Sequence, residues 1–215
     1  KEAHQKCGFQ PLETFPSFEQ IYESDKLFPL FANRLPSVSR PDYTSFVDYL
    51  NLSPQEKDPI VLLGRSSGER MTDTMQVFPQ PELSADGLYQ TLFFANVINH
   101  LPLSSLQRIE QFRPGERLCL MKDIQNSYER TALLLRTNGE ADADLHIVGY
   151  CPRYLLDDAV KIIDECPDVG TMIHIEVERI NAPPAPKKFR LLCKMTARWP
   201  AGFQPFSSLK YTPIP

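Results

Sequence analysis

Two rhythms of apolar residues run along this chain, a helical one in its first part and a strand-like one from about residue 88 onward. In RPDYTSFVDYLNL, Tyr43, Phe46, Val47 and Leu50 recur at the i, i+3, i+4, i+7 spacing of one buried face, which predicts a helix over 41–50. Pro41 suits its first position and Ser39 its cap. In DPIVLLGRSSGERMTDTMQVFPQP, the apolar runs Ile60–Leu63 and Met75–Phe78 flank a polar loop holding Ser66, Ser67 and Gly68, which predicts strand–loop–strand. Arg65 and Arg70 leave that loop open to either an anion contact or an exposed turn.

From GLYQTLFFANVINH, rich in aromatic and branched residues, the pattern is one of short strands. ERLCLMKD, TALLLRT and HIVGY are three more, separated by turns. MIHIEVERI alternates, with Ile173, Ile175 and Val177 facing one way and His174, Glu176 and Glu178 the other, as in a half-buried strand. FRLLCKMTARW follows after the proline spacer APPAP. Two helices interrupt the strands: PLSSLQRIEQF, with Leu106, Ile109 and Phe112 inward, and YLLDDAVKIIDE, with Leu155, Leu156, Ala159, Ile162 and Ile163 as its stripe. The fold class expected is mainly β (α+β): a small barrel or curled sheet with two or three helices and an N-terminal extension. The expected organisation is an arm over 1–24, an accessory region over 25–87 packed on the barrel, the barrel over 88–200, and a tail over 201–215.

Composition narrows the chemistry. Hydrophobic content of 42% and charged content of 23% are those of a soluble globular protein. No apolar run reaches the ~18 residues of a membrane span, and the first 25 residues lack a signal peptide's apolar centre, so a cytoplasmic protein with no membrane partner is expected. The five cysteines (Cys7, Cys119, Cys151, Cys166, Cys193) form no CxxC pair and read as reduced, buried thiols. The four histidines share no zinc-ligand spacing with them, so neither a metal nor a cofactor is expected. There is no GxSxG, no HExxH and no nucleotide-binding glycine loop, and the sequence favours binding over catalysis.

The net charge of −4 is unevenly spread. Between Asn181 and Pro215 stand six basic residues (Lys187, Lys188, Arg190, Lys194, Arg198, Lys210) and no acidic one, which leaves −10 for the remainder. Such a segment is either a solvated face or a surface for phosphates.

The most informative stretch is DIQNSYERTALLLRT, a polar turn feeding a leucine run, followed by IVGYCPRYLLDD entering a helix. Asp123, Asn126, Tyr128 and Ala132, then Val148, Gly149, Tyr150 and Arg153, follow the pattern of the HIRAN domain, which is found in fork-remodelling helicases and, alone or fused, in many bacterial proteins. From about Leu88 to Trp199 the chain resembles that family. It departs from it in carrying Ser127 for the turn's proline, Glu129 for its aspartate and Thr131 for its second asparagine. The resemblance implies a non-catalytic module holding the 3′ end of single-stranded DNA. Tyr128 would stack on the terminal base, and Asn126 and Glu129 would accept from the terminal hydroxyl. Tyr150 and Arg153 would meet the next base and phosphate, with Arg130 beside them. His100 lies, with Asn99, near the family's basic–aromatic pair. From Phe112 to Glu165 the chain has seven Lys/Arg against ten Asp/Glu, so Lys187 and Lys188, with Arg190, would have to supply the attraction.

Plainer readings stand beside these. Tyr128 can be a turn tyrosine covering the barrel end while Asn126 and Asp123 bond backbone amides. Gly149 can serve a tight passage out of a strand, Arg153 can pair with Asp157, and Trp199 can be core rather than a stacking platform. In the alternative function, a protein-interaction subunit of a repair, defence or toxin–antitoxin system, DNA binding is lost and residues 1–50 dock on a partner. A third class, an unrecognised nuclease or nucleotide hydrolase, would need an activity that no motif announces.

Overall fold

The structure, a computed structural model, describes residues 8, 10–53, 56, 58–81, 83–139, 144–165, 173–198 and 201–211. Trp199, Cys7, Cys166 and His4 lie outside the described residues. Among those described, the chain forms two units, the first ending at Pro79 and the second running from Gln80 to Tyr211.

The first unit is helical. Helix α1 (Pro29–Ala32) is a single turn, α2 spans Tyr43–Tyr49 and α3 spans Pro59–Ser66. In α2 the expected face is buried at Tyr43, Val47 and Leu50. The helix starts later than the sequence predicts: Asp42 stands at its cap position, its carboxylate held by Arg40, and the Ser39 hydroxyl bonds Ser37 instead of capping.

The predicted strand–loop–strand over 60–78 is not what forms. Ile60–Leu63 lies inside α3, and no strand is found over 75–78. The cause is local: the Asp58 carboxylate accepts from the Ile60 amide at 2.7 Å, and Pro59 fixes the first helical φ. Leu62, Leu63 and Ser66 then face inward, and the helix stops at Ser67, whose φ is +63°. Arg65 and Arg70 do not share a loop, since Arg65 is on α3 and donates to the Leu50 carbonyl. The buried Arg34 guanidinium bonds the carbonyls of Leu30 and Gly68 and the Asp73 carboxylate, tying α1 to the segment after α3. In the arm, the Phe15 ring packs edge-on against Tyr22 and Phe28.

The second unit is the curled sheet. Its strands are β1 (Leu88–Phe94), β2 (Arg117–Lys122), β3 (Leu133–Thr137), β4 (Ile147–Tyr150), β5 (Ile173–Ile180) and β6 (Leu191–Arg198), antiparallel throughout in the order β1-β6-β5-β2-β3-β4. Helix α4 (Leu103–Gln111) follows β1 and packs on β4, and α5 (Arg153–Glu165) follows β4. The first and last members of that order meet. Just past β1, Asn96 pairs antiparallel with Tyr150, and the sheet curls into a small barrel.

The patterning explains the core. Leu133, Leu134 and Leu135 are all buried, as expected of a strand covered on both faces. On β5, Ile175 and Val177 are buried while His174 is exposed. Helix α5 buries Leu155, Leu156, Ala159 and Ile162. Tyr89, Phe93, Ile109, Leu191 and Leu192 fill the centre, joined by the thiols of Cys151 and Cys193. Burial pushes the Cys151 thiol up to about 12, so it stays protonated.

Candidate nucleic-acid interface

The turn between β2 and β3, residues 123–131, is held by its own side chains. The Asp123 amide bonds the Ala132 carbonyl at 2.9 Å and closes the turn's base. The Asn126 carbonyl oxygen accepts from the amides of both Tyr128 and Glu129 at 3.0 Å, and its Nδ2 donates to Asp123 at 3.2 Å. These are Asx-type bonds, which fix a turn without help from the rest of the sheet. Asn126 and Asp123 therefore do what the plain reading assigns them, and the amide oxygen of Asn126 is already engaged.

Tyr128 itself does not cover the barrel end. It is 93% exposed, as is Ile124, four residues earlier, at 90%. Burying a large ring is worth about 1.5–3 kcal/mol, and this turn forgoes that gain while ordering the backbone beneath the ring.

Tyr150 is a strut. Its hydroxyl donates to Asp123 Oδ2 at 2.9 Å, and its backbone joins Asn96. Burial first, and the Asp123 carboxylate second, hold its hydroxyl above the usual tyrosine range. Gly149 makes the junction possible. A Cβ there would lie 2.8 Å from the Ala95 Cβ and 3.1 Å from the Asn96 carbonyl oxygen, at φ +153°.

Glu129 accepts from the Thr131 hydroxyl at 2.8 Å and pairs with Arg153 Nε at 3.5 Å. The Thr131 hydroxyl and amide, followed by Arg153 and Lys210, hold its carboxyl below the usual glutamate range. Arg153 is thus paired across the chain with Glu129, while Asp157 accepts from the Ser208 hydroxyl. Arg130 is exposed on the same turn.

The other basic candidates lie on two neighbouring turns. His100 is exposed on a 3-10 turn (Ile98–His100) that packs against β4 and against the Lys187–Phe189 turn. Lys187 and Lys188 are exposed there. Arg190 is not part of that surface, because its guanidinium bonds Glu110 and the Ala185 carbonyl and is largely buried. Lys194 is paired with Glu176. Of the basic tail, Lys210 sits between Ser208, which bonds Asp157, and Tyr211, which bonds the Tyr154 carbonyl. Its ammonium lies 5.1 Å from the Tyr211 ring centre, and its charge is the smallest of the influences that lower the Glu129 pKa. Between them, Val97 adopts φ +68°, a costly conformation for a β-branched residue, and turns the chain from the junction into the His100 turn. Among the described residues, no three His, Cys, Asp or Glu side chains are gathered so as to hold a metal, and no helix is long and apolar enough to cross a membrane.

No protein-family model and no curated protein matches the chain. Two solved structures are similar to it. A protein of Lactobacillus plantarum is 15% identical at a TM-score of 0.37, over 52% of this chain and 97% of its own. The HIRAN domain of human HLTF is 15% identical at a TM-score of 0.36, over 53% of this chain and 81% of its own. At such identity and TM-scores, neither likeness bears on what the site does.

Proposed function

We propose that this chain is a non-catalytic module that binds single-stranded DNA, engaging its 3′ end at the 123–131 turn. The observation that carries the reading is Tyr128, an aromatic ring held 93% exposed on a turn whose backbone is fixed by Asn126 and Asp123. A base stacked on such a ring contributes about 1–3 kcal/mol, and a rigid turn spares the ordering cost that a floppy one would add. Arg153, Arg130, Lys187 and Lys188 are the cations for the following phosphates, with His100 as a further hydrogen-bonding partner. Glu129, charged at neutral pH, disfavours a terminal phosphate and tolerates a hydroxyl. The match of Asp123, Asn126, Tyr128, Gly149, Tyr150 and Arg153 to the HIRAN pattern supports the same reading.

The test is fluorescence anisotropy with a labelled strand of about ten nucleotides, within the span one small barrel covers, ending in a 3′ hydroxyl or a 3′ phosphate. Affinity that falls steeply with salt and favours the hydroxyl is the expected result. Absence of binding at low salt overturns the proposal. Exposed Ile124 and Met121 on the same hairpin favour a second reading, docking on a protein, for which salt would matter little.

A further inference from the structure

Residues 201–211 run as a strap over α5, anchored at several points. The Phe206 amide donates to both oxygens of Asp158 at 3.1 Å, the Ser208 hydroxyl donates to Asp157 at 2.9 Å, and the Tyr211 hydroxyl donates to the Tyr154 carbonyl at 3.2 Å. Phe203 is buried edge-on against Tyr89. Tyr154 directly follows Arg153, so the strap arrives at the first turn of α5 and brings Lys210, between two of these anchors, toward the 123–131 turn.

Arg153 meets the Glu129 carboxylate, and the strap holds Lys210 at the same turn of α5. Arg153 Nε lies 3.5 Å from Glu129 Oε2, and the charge of Lys210 reaches the same group. The Thr131 hydroxyl, 2.8 Å from Glu129 Oε1, orients that carboxylate toward them. An anion held by Arg153, on the turn that carries the exposed Tyr128 ring, stands where a strand phosphate would stand.

We propose that Glu129 gates the site: its carboxylate fills the cationic seat of Arg153 and Lys210, and an internal phosphate of the bound strand, not its 3′ end, takes the seat by displacing it. The strap is then part of the interface, with Lys210 as a binding residue. The pair is suited to exchange. Arg153 is 65% exposed and Glu129 31%, at a separation beyond ordinary hydrogen-bond length. Such a pair contributes little by itself, whereas a phosphate offers arginine a bidentate partner. The inference rests on the proposed reading of the Tyr128 turn.

The experiment titrates a labelled single strand with a 3′ hydroxyl into the full chain, into Glu129→Gln, into Glu176→Gln, and into Glu129→Gln combined with Lys210→Ala. Glu176 is the control because it too pairs with a lysine, Lys194, on the sheet away from the turn. The expected result is that Glu129→Gln tightens binding about two- to fivefold, the size of one exposed ion pair released. Glu176→Gln changes nothing, and Lys210→Ala removes the gain. Weaker or unchanged binding by Glu129→Gln, or equal tightening by Glu176→Gln, overturns the gate. If the unaltered chain binds and Tyr128→Ala weakens it, the binding function survives that failure. If neither the unaltered chain nor Glu129→Gln binds at low salt, function and gate fall together.

Discussion

Asn96 and Tyr150 exchange both backbone hydrogen bonds, at 2.9 and 3.0 Å, and thereby join the far ends of the strand order. The same Tyr150 reaches through its hydroxyl to Asp123, so the junction and the 123–131 turn share one residue. Gly149→Ala is therefore expected to cost about 2–3 kcal/mol, because its Cβ meets Ala95 and Asn96 with nowhere to move. Urea midpoints of the two proteins measure it. An unchanged midpoint would mean that the barrel does not depend on this contact.

Asn126 and Tyr128 separate scaffold from surface. Asn126→Ala strips two amides of their acceptor and is expected to cost about 1–2 kcal/mol of stability. Tyr128→Ala removes a ring that touches solvent and is expected to leave stability within about 0.5 kcal/mol, while weakening strand binding by about 1–3 kcal/mol. Thermal melts and anisotropy on the same samples distinguish the two effects.

Asp158 gives stability a pH dependence opposite to that of most carboxylates. Burial pushes it up to about 6, with Asp157 adding to the rise and the Phe206 amide and Lys161 opposing it. The folded state holds this proton more tightly than the unfolded chain. Its contribution is thus present below about pH 4 and lost as the pH rises through about 6. Asp158→Asn keeps an acceptor for Phe206 and should flatten stability across that window, read as urea midpoints at about pH 4.5 and about pH 7.5. A variant with the slope of the unaltered protein would contradict this.

In the first unit, Asp58→Ala removes the cap of α3 and is expected to loosen that helix by about 1 kcal/mol. Faster amide hydrogen exchange at Leu62 and Leu63, without change in β1 or β6, is the expected signature.

How much of this was legible in the sequence depended on range. The leucine run of β3, the alternation of β5 and the stripe of α5 are local periodicities, and they form as read. Ile60–Leu63 misled because four branched apolar residues suit a strand as well as a helix, and the Asp58–Pro59 pair that decides the matter lies just before them. The role of Asn126 as a turn acceptor followed from its type and position. The partner of Arg153 did not: spacing on the helix pointed to Asp157, while the structure supplies Glu129 from another loop. Gly149 was readable as a tight passage, but Ala95, the neighbour that demands it, lies just past the end of β1, more than fifty residues earlier. Nothing local could place Lys210 at the first turn of α5, since the strap that carries it is positioned by its anchors there.

The pairing of Leu88 with Arg198 sets the chain's entry into the sheet beside its exit. A fold whose two ends are neighbours can be spliced into the middle of another polypeptide through a pair of short linkers, or reconnected end to end, without pulling any strand from its place. The strand core of the second unit has this property, with the strap over 201–211 carried along on the exit side.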